Sequence, residues 1–275
     1  MTRTSKLLVV IPACGVSRRM GAPKPLLHWP ASAQWWRNHA LDRSMVLAWA
    51  QEHPEQTLLG RTVAAYRAAG VEDLRVVVRL EDSPLLDVAC ALRLKPIAIS
   101  DPPPDMLTSI AWGLLGAGID RGETVDAFFV APADQPPAPA TLMPSLWTAL
   151  KASDADAAAP VCGGRRGHPV LFRSALAWPI VKAAAQRCTS FRESWHAHTK
   201  TTGSASCERA SVLRFPAPPE RIAAVQIPED AGVDWLLRSG VCNVAEVPVT
   251  DEAPFLDLNT PEDYFRAATD TPGLA

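Results

Sequence analysis

Residues Leu7 to Leu27 read LLVVIPACGVSRRMGAPKPLL and are the most informative stretch of this 275-residue chain. They begin as an apolar run typical of a buried strand and continue into a loop with two glycines, two arginines and a lysine. Such a loop brings positive charge and free backbone N–H groups to the end of a sheet, where a phosphate can bind. The stretch therefore predicts a first strand with a nucleotide-site candidate at its end.

Two common phosphate-binding loops do not fit this stretch. A P-loop has four residues between its glycines and then Lys and Ser or Thr, whereas five residues separate Gly15 from Gly21 and the sequence APKP follows. A dinucleotide-binding loop needs the spacing G-x-G-x-x-G, in which only Gly15 stands in the right place. The loop is therefore of another kind.

The composition indicates a globular protein with a substantial core. Apolar residues make up 48% of the chain, and a net charge of −2 without a long basic run makes nucleic acid a poor partner. The six cysteines form no C-x-x-C pair and no zinc spacing, which predicts reduced thiols. No apolar run approaches the roughly 20 residues needed to span a membrane. We therefore expect a cytoplasmic protein that binds neither nucleic acid nor membrane.

Short β-rich runs alternate with helix-length segments, the pattern of a doubly wound, mostly parallel α/β sheet. Strands are predicted at Lys6–Ile11, Leu74–Val78, Pro96–Ile99, Ala127–Ala131, Val170–Phe172, Val241–Val247 and Phe255–Leu258. Helices are predicted at Thr57–Ala69, with Gly70 as a left-handed stop, and at Met106–Gly116, Ala140–Ala152 and Pro261–Thr269.

Two regions interrupt this alternation. Residues 30–56 carry three tryptophans and two histidines, and residues 182–221 are polar and aperiodic. We interpret both as insertions in a single domain that spans residues 1–275, where they either cover a site or decorate the fold. Trp29, Trp35 or Trp36 can stack on a base, although packing in the core is the commoner role of tryptophan.

Two carboxylates follow predicted strands. Asp134 stands in VAPADQP and Asp257 in FLDLNTPEDY, at positions where open α/β sheets bind ligands and where a carboxylate can hold Mg²⁺. Taken alone, Asp134 is more simply a turn-forming residue before proline. Thr260 and Asp263 form a capping box that begins the last helix, which leaves Asp257 without a structural role.

The first loop resembles the signature of the MobA-like nucleotidyltransferases, roughly L-A-(A/G)-G-x-S-x-R-M-G-x-x-K-x-L-L. The residues that match it in order are Ala13, Gly15, Ser17, Arg19, Met20, Gly21, Lys24, Leu26 and Leu27. Pro12 and Cys14 depart from the pattern without removing a charge or a required glycine. The family's D-x-P motif matches residues 134–136, and D-I-D-T-P-E-D resembles residues 257–263 with Asn259 in place of the second Asp.

The resemblance implies a Rossmann-like fold of the nucleotide-diphospho-sugar-transferase type and transfer of NMP from an NTP to a phosphorylated acceptor, with release of pyrophosphate. It places Mg²⁺ on Asp134 and Asp257, and the catalytic cations on Arg19 and Lys24. The nucleotide-binding residues that it implies are Ala13, Cys14, Gly15, Ser17, Arg19, Lys24, Thr108 and Ser109. The sequence GHPVLF at residues 167–172 implies an acceptor site at His168 with Arg165.

The resemblance also bears on the base of the nucleotide and on the phosphorylated acceptor. Relatives that use CTP tend to carry Ala-Ala-Gly in the first loop and those that use GTP carry Ala-Gly-Gly, so the side chain of Cys14 favours CTP over GTP. In the best-known relatives the acceptor is molybdopterin, and a molybdoenzyme apoprotein then receives the product. A sugar or polyol phosphate acceptor is an alternative, and so is a protein that binds nucleotide or pterin without transferring anything.

Overall fold

The computed structural model describes residues 6–30, 32–40, 42–119, 125–200, 218–250 and 255–269. Within these ranges eight strands form one sheet. They are β1 (Leu7–Pro12), β2 (Asp73–Arg79), β3 (Lys95–Ile99), β4 (Ala127–Val130), β5 (Ala157–Cys162), β6 (Arg165–Arg166), β7 (Val170–Arg173) and β8 (Val244–Pro248).

The strand order is β3-β2-β1-β4-β7-β5-β6, and β8 pairs with β5. Strands β1 to β4 are mutually parallel, and β8 runs parallel to β5. The short strand β7 lies antiparallel between β4 and β5. The predicted mostly parallel α/β sheet is thus confirmed, and the carboxyl ends of β1 and β4 lie side by side.

Helices cover both faces of the sheet. They are α1 (Ala33–Trp35), α2 (Arg43–Glu52), α3 (Leu58–Ala68), α4 (Ser83–Ala91), α5 (Met106–Ile119), α6 (Leu142–Ala152), α7 (Ala177–Arg187), α8 (Thr189–Lys200), α9 (Glu220–Ala223), α10 (Trp235–Arg238) and α11 (Pro261–Thr269). One apolar core lies under α2, α3, α4, α6 and α11, and a second lies under α5, α7 and α8. None of the described helices has the length and apolar character needed to cross a bilayer.

The predicted helix signals act as expected. Thr57 begins α3, where its Oγ1 accepts a hydrogen bond of 2.9 Å from Gly60 N. Gly70, just after this helix, has a φ of 80°, which favours glycine. At α11, Thr260 N donates to Asp263 Oδ2 at 3.0 Å and Asp263 N to Thr260 Oγ1 at 3.2 Å, so the predicted capping box is confirmed.

Two strand predictions need correction. Residues 255–258 do not form a strand, because their backbone pairs with a loop: Leu258 N donates to the Asp134 carbonyl at 3.1 Å. Strand β5 was not predicted, because its sequence AAAPVC consists largely of alanine, a residue depleted in strands. Small side chains fit there because both faces of the strand are packed against other elements.

The interpretation of residues 182–221 as aperiodic is wrong for their described part. Residues 182–187 complete α7, whose buried residues Ala177, Ile180, Val181 and Ala184 recur at helical spacing, and α8 follows. Pro179 hid this helix from the sequence pattern, yet it stands in the first turn, where proline is tolerated. Residues 201–217 lie outside the described part of the chain.

Residues 30–56 contribute to the core. Trp35, Val46 and Ala50 are buried, as is Trp29 just before the segment, and Trp36 packs on the rings of Tyr264 and Phe265. This packing matches the structural role of the tryptophans rather than base stacking. Removal of the segment would open the core beneath α2.

His28 lies within an aromatic cluster formed by this segment. Its ring stacks on Trp35 and meets Trp49 edge-on, with centroid distances of 5.8 and 5.3 Å. Burial lowers the pKa of His28 below its ordinary value of 6.5, and the charges of Arg61, His39 and His53 act in the same direction. The folded protein therefore favours the neutral imidazole.

This environment predicts a loss of stability in mild acid. Because the unfolded chain binds a proton at His28 more tightly than the folded chain, the free energy of unfolding falls as the pH drops below about 6.5. We expect His28→Phe, which keeps a ring but does not titrate, to reduce this loss. Urea unfolding at pH 7.5, 6.5 and 5.5 measures it, and equal pH dependence in both proteins would contradict the assignment.

Candidate functional site

A cleft of about 410 Å³ opens at the carboxyl ends of β1 and β4. Its walls come from the first loop, the segment before α5, the loop after β4 and a single residue before α11. The predicted site residues that line it are Ala13, Cys14, Gly15, Ser17, Arg19, Lys24, Ser109 and Asp134. The fold thus brings most of the predicted nucleotide and catalytic residues together in one place.

The first loop turns back over the end of β1. Ala13 N donates to the Val77 carbonyl at 2.9 Å, which prolongs the sheet by one residue before the chain leaves it. A 3₁₀ turn over Arg18–Met20 follows, between Ser17 and Gly21, which have φ values of 50° and 71°. Ser17 Oγ then accepts from Lys24 N at 3.2 Å. The loop is therefore closed on itself, with Gly15 and Arg19 in the lining of the cleft.

Lys24 is the central cation of the cleft. Its side chain is 10% exposed, and its Nζ donates to Asp134 Oδ2 at 3.1 Å and to Asn259 Oδ1 at 2.9 Å. The three residues come from distant parts of the chain. Three of the sequence motifs therefore meet at a single ammonium group.

Asp257 is not among the residues that line the cleft. It is exposed, and its Oδ1 accepts from Gln135 Nε2 at 2.8 Å. The hydrogen bond from Leu258 N to the Asp134 carbonyl ties the two carboxylate loops together. The residue of this motif that lines the cleft is Asn259, whereas the sequence pattern pointed to Asp257.

The donor set at this point suits a hard divalent cation. Asp134, Asp257 and Asn259 offer oxygen only, on neighbouring loops, and the described residues hold no cluster of three or more His, Cys, Asp or Glu that could bind a metal. Mg²⁺ is commonly held by one or two carboxylates, with phosphate oxygens and water as its other ligands. These oxygen donors therefore fit a hard cation that takes its remaining ligands from water or phosphate.

Cys14 and Ser109 are neighbouring residues in the lining of the cleft. Cys14 Sγ lies 3.4 Å from the Val77 carbonyl, and burial raises the pKa of this thiol, so it is neutral at pH 7. Ser109 is 2% exposed and lines the cleft, whereas Thr108 is fully buried and does not. The predicted contact of Thr108 with nucleotide therefore has no support in this geometry.

Asp105 is a cleft residue that sequence reasoning missed. Its Oδ1 accepts from Thr108 N at 2.7 Å and so caps α5, and its Oδ2 accepts from Arg187 Nη1 at 2.8 Å. An Asp directly before a predicted helix is a recognisable N-cap signal. Its partner Arg187 lies on a helix that the sequence pattern did not reveal.

A second cavity of about 690 Å³ adjoins the cleft at Met106, which lines both. His168 lines this cavity, and burial lowers the pKa of its imidazole against the opposing effects of the Val130 backbone, Asp257 and Asp134. Arg165 lies outside the cavity lining, with its guanidinium 5.8 Å from the centre of the Phe255 ring. Arg166, its neighbour, lines the cavity instead.

Comparison with solved structures shows the same fold in several proteins. Rv0371c from Mycobacterium tuberculosis H37Rv, in complex with manganese, aligns over 97% of this chain and 100% of its own, with 18% identity and a TM-score of 0.55. A nucleotidyl transferase from Methanothermobacter thermautotrophicus aligns over 97% of both chains, with 14% identity and a TM-score of 0.55.

Molybdopterin-guanine dinucleotide biosynthesis protein A from Archaeoglobus fulgidus aligns over 95% of this chain and 96% of its own, with 14% identity and a TM-score of 0.51. No curated protein matches the chain in sequence. The family model described as the MobA-like NTP transferase domain matches residues 9–199. This match spans the first loop, Asp134 and His168, and with the shared fold it shows that the chain belongs to the MobA-like NTP transferase family.

Proposed function

We propose that the chain transfers a nucleoside monophosphate, with CMP preferred, from an NTP to molybdopterin and releases pyrophosphate. The observation that supports this most strongly is the convergence of Asp134 and Asn259 on Lys24 at the floor of the cleft. This arrangement places a cation that can bind phosphate beside oxygen ligands that can bind a metal. A site that only bound a nucleotide would have no need for both.

The proposed reaction requires the protein only to position the two substrates and to stabilise the negative charge of the transition state. An oxygen of the acceptor phosphate attacks the α-phosphorus of the NTP, and the bond from that phosphorus to the oxygen bridging the β-phosphorus breaks, so pyrophosphate leaves. Lys24 Nζ turns from Asp134 to the phosphates, where it and Arg19 stabilise the negative charge of the transition state. The backbone N–H groups around Gly15 bind phosphate oxygens.

Asp134 and Asp257 are the residues we assign to Mg²⁺, with Asn259 beside them. When bound, such an ion would act as a Lewis acid and withdraw negative charge from the nucleotide phosphates. Release of Asp134 from Lys24 frees its carboxylate for this role. The same exchange brings Lys24 to the phosphates.

The preference for CMP rests on Cys14. Cys14 lines the cleft, and its side chain takes up space that a glycine would leave open to a larger base. Ser109 adds a hydroxyl to the same lining. His168, on the side of the second cavity, is neutral at pH 7 and is assigned to the acceptor.

Pyrophosphate release tests this function directly. We expect release with Mg²⁺, molybdopterin and CTP, and at least about tenfold slower release with GTP or ATP, because a difference in steric fit to a pocket is worth about 1–3 kcal/mol. The rate of pyrophosphate release by the Asp134→Asn variant serves as the background rate. Release with a sugar or polyol phosphate but not with molybdopterin would reassign the acceptor. Thermal stabilisation by CTP without any release would indicate a binding protein.

A further inference from the structure

A small crevice lies between α3, the loop after β4 and the residues that precede β7. Its volume is about 20 Å³. One water molecule needs about 10–15 Å³, so the crevice has room for a single water but not for a larger ligand. Polar side chains in its lining belong to Thr62, Tyr66, Gln135 and His168. The crevice is therefore both polar enough and large enough to hold water.

Tyr66 places a hydroxyl group in the core without a partner. The residue is 2% exposed, and its ring packs edge-on against Phe129 with a centroid distance of 5.4 Å. Its Oη is buried and makes no hydrogen bond to any described residue. Burial raises the pKa of this phenol well above its ordinary value of 10, so the O–H group stays protonated and can donate. A buried hydroxyl without a partner is destabilising, and an ordered water is a common partner for such a group.

His168 lines the same crevice and carries a second unpartnered atom. Its Nδ1 is buried and makes no hydrogen bond to any described residue, although the Val130 backbone lies near the ring. Tyr66 reaches the crevice from α3, and His168 reaches it from the residues before β7. Two buried polar atoms without partners, from distant parts of the chain, thus belong to residues that line one water-sized crevice. Buried water in proteins is found in surroundings of this kind.

The hydrogen of a neutral imidazole can lie on either ring nitrogen, and the hydrogen bond made by one nitrogen decides which. Burial lowers the pKa of His168, so its ring is neutral at pH 7. A water that accepts the hydrogen of Tyr66 Oη still has two hydrogens of its own, one of which it can donate to Nδ1. Nδ1 is then an acceptor and Nε2 carries the hydrogen. The tautomer matters because the oxygens of a phosphate dianion only accept hydrogen bonds.

From these observations we infer that the crevice holds one ordered water molecule, which links Tyr66 Oη to His168 Nδ1 and fixes His168 as the Nε2–H tautomer. Tyr66 is then a positioning residue, since it touches no substrate and acts through the water and His168. Nε2 is left as a donor for an oxygen of a phosphorylated ligand. The inference rests on the proposed function only for the identity of that ligand, and on the crevice alone for the water and the tautomer.

Nitrogen-15 NMR of the histidine side chains tests the inference without turnover. The full chain, labelled with ¹⁵N-histidine and measured at pH 8, is expected to show His168 as a single Nε2–H tautomer, and loss of its signals in His168→Gln identifies them. Tyr66→Phe keeps the ring that packs on Phe129 but removes the hydroxyl. We expect this variant to show His168 as a mixture of both tautomers, because the water at Nδ1 has lost the group that orients it.

Tyr264→Phe is the matched control. Tyr264 is the other of the two tyrosines of the chain, is also buried, and donates its hydroxyl hydrogen to the His28 carbonyl. Its replacement should leave the His168 signals unchanged. An Nδ1–H tautomer or a mixture in the wild-type protein would overturn the inference, and that result needs no variant to fold. A wild-type pattern in Tyr66→Phe would overturn it as well.

Turnover separates a positioning role from a merely structural one. Tyr66→Phe is expected to raise the KM for the acceptor about 2- to 10-fold, the effect of one neutral hydrogen bond, and to leave the KM for the NTP unchanged. An equal rise of both KM values would contradict the positioning role. Failure of the proposed function shows separately, as absence of pyrophosphate release from wild-type protein, and does not alter what the NMR spectra decide.

Discussion

Replacement of Asp134 by asparagine is expected to reduce nucleotidyl transfer by about 100- to 1,000-fold, the range seen when one preorganised electrostatic group is removed from a transition-state site. Asparagine has the shape of aspartate and can still accept a hydrogen bond from Lys24, so the loop after β4 should keep its conformation. What the substitution removes is a negative charge at the point where Mg²⁺ and the α-phosphate are proposed to meet. The effect should therefore fall on kcat rather than on stability.

The measurement is steady-state pyrophosphate release, together with thermal unfolding of the same samples. Asp87→Asn is the control, because Asp87 is an exposed residue on α4 that accepts a hydrogen bond from Gln51 and lies apart from the cleft. Transfer at the wild-type rate in Asp134→Asn would refute the metal assignment. A large loss of melting temperature would instead show that Asp134 has a mainly structural role.

The second large effect is expected from Lys24→Met, which should weaken nucleotide binding by about 10- to 100-fold. Hydrogen bonds to charged groups contribute about 1.5–3 kcal/mol, and each 1.4 kcal/mol changes affinity tenfold. Methionine keeps the apolar stem that the lysine buries, so the cleft should remain packed. Asp134 is 41% exposed and can be solvated without its partner. The fold should therefore tolerate the change.

Calorimetry with CTP and Ca²⁺ measures this affinity without turnover. Lys151→Met is the matched control, since Lys151 lies on α6 with its ammonium over the Trp147 ring, away from the cleft. Unaltered CTP affinity in Lys24→Met would refute the phosphate role. Lys24→Arg adds a further comparison, because a guanidinium keeps the charge but does not fit between Asp134 and Asn259 in the same way.

The parts of the fold that the sequence predicted are those in which the local pattern and the tertiary role agree. β1 is apolar because it is buried on both faces, and α11 begins where its capping box stands. β5 was not predicted because a run of alanines favours a helix. In the folded protein this strand is packed on both faces, where small side chains fit. α7 was missed because Pro179 reads as a break unless its position in the first turn is known.

The residues of the candidate site follow the same rule: those whose role depends on local sequence could be predicted, and those whose role depends on distant contacts could not. The first loop and Asp134 act through residues adjacent in sequence to a strand end, so their placement could be predicted. Asn259 could not, because its importance comes from a contact with Lys24 that is distant in the chain. Asp105 could be recognised as the N-cap of α5, but its contact with Arg187 could not be predicted. The spacing of residues in a single sequence does not show which residues from distant parts of the chain are in contact.

The pairing of β8 with β5 has a consequence for how the chain can be divided. β8 hydrogen-bonds along Ala157 to Val161 of β5, and it comes from residues 244–248, well after the segment that defines the family. A fragment ended at residue 199 would leave most of that edge of β5 with unpaired N–H and C=O groups, a template for edge-to-edge aggregation. It would also lack Asn259. The family-defining segment is therefore not a module that can be excised, and the C-terminal residues complete both the sheet and the site.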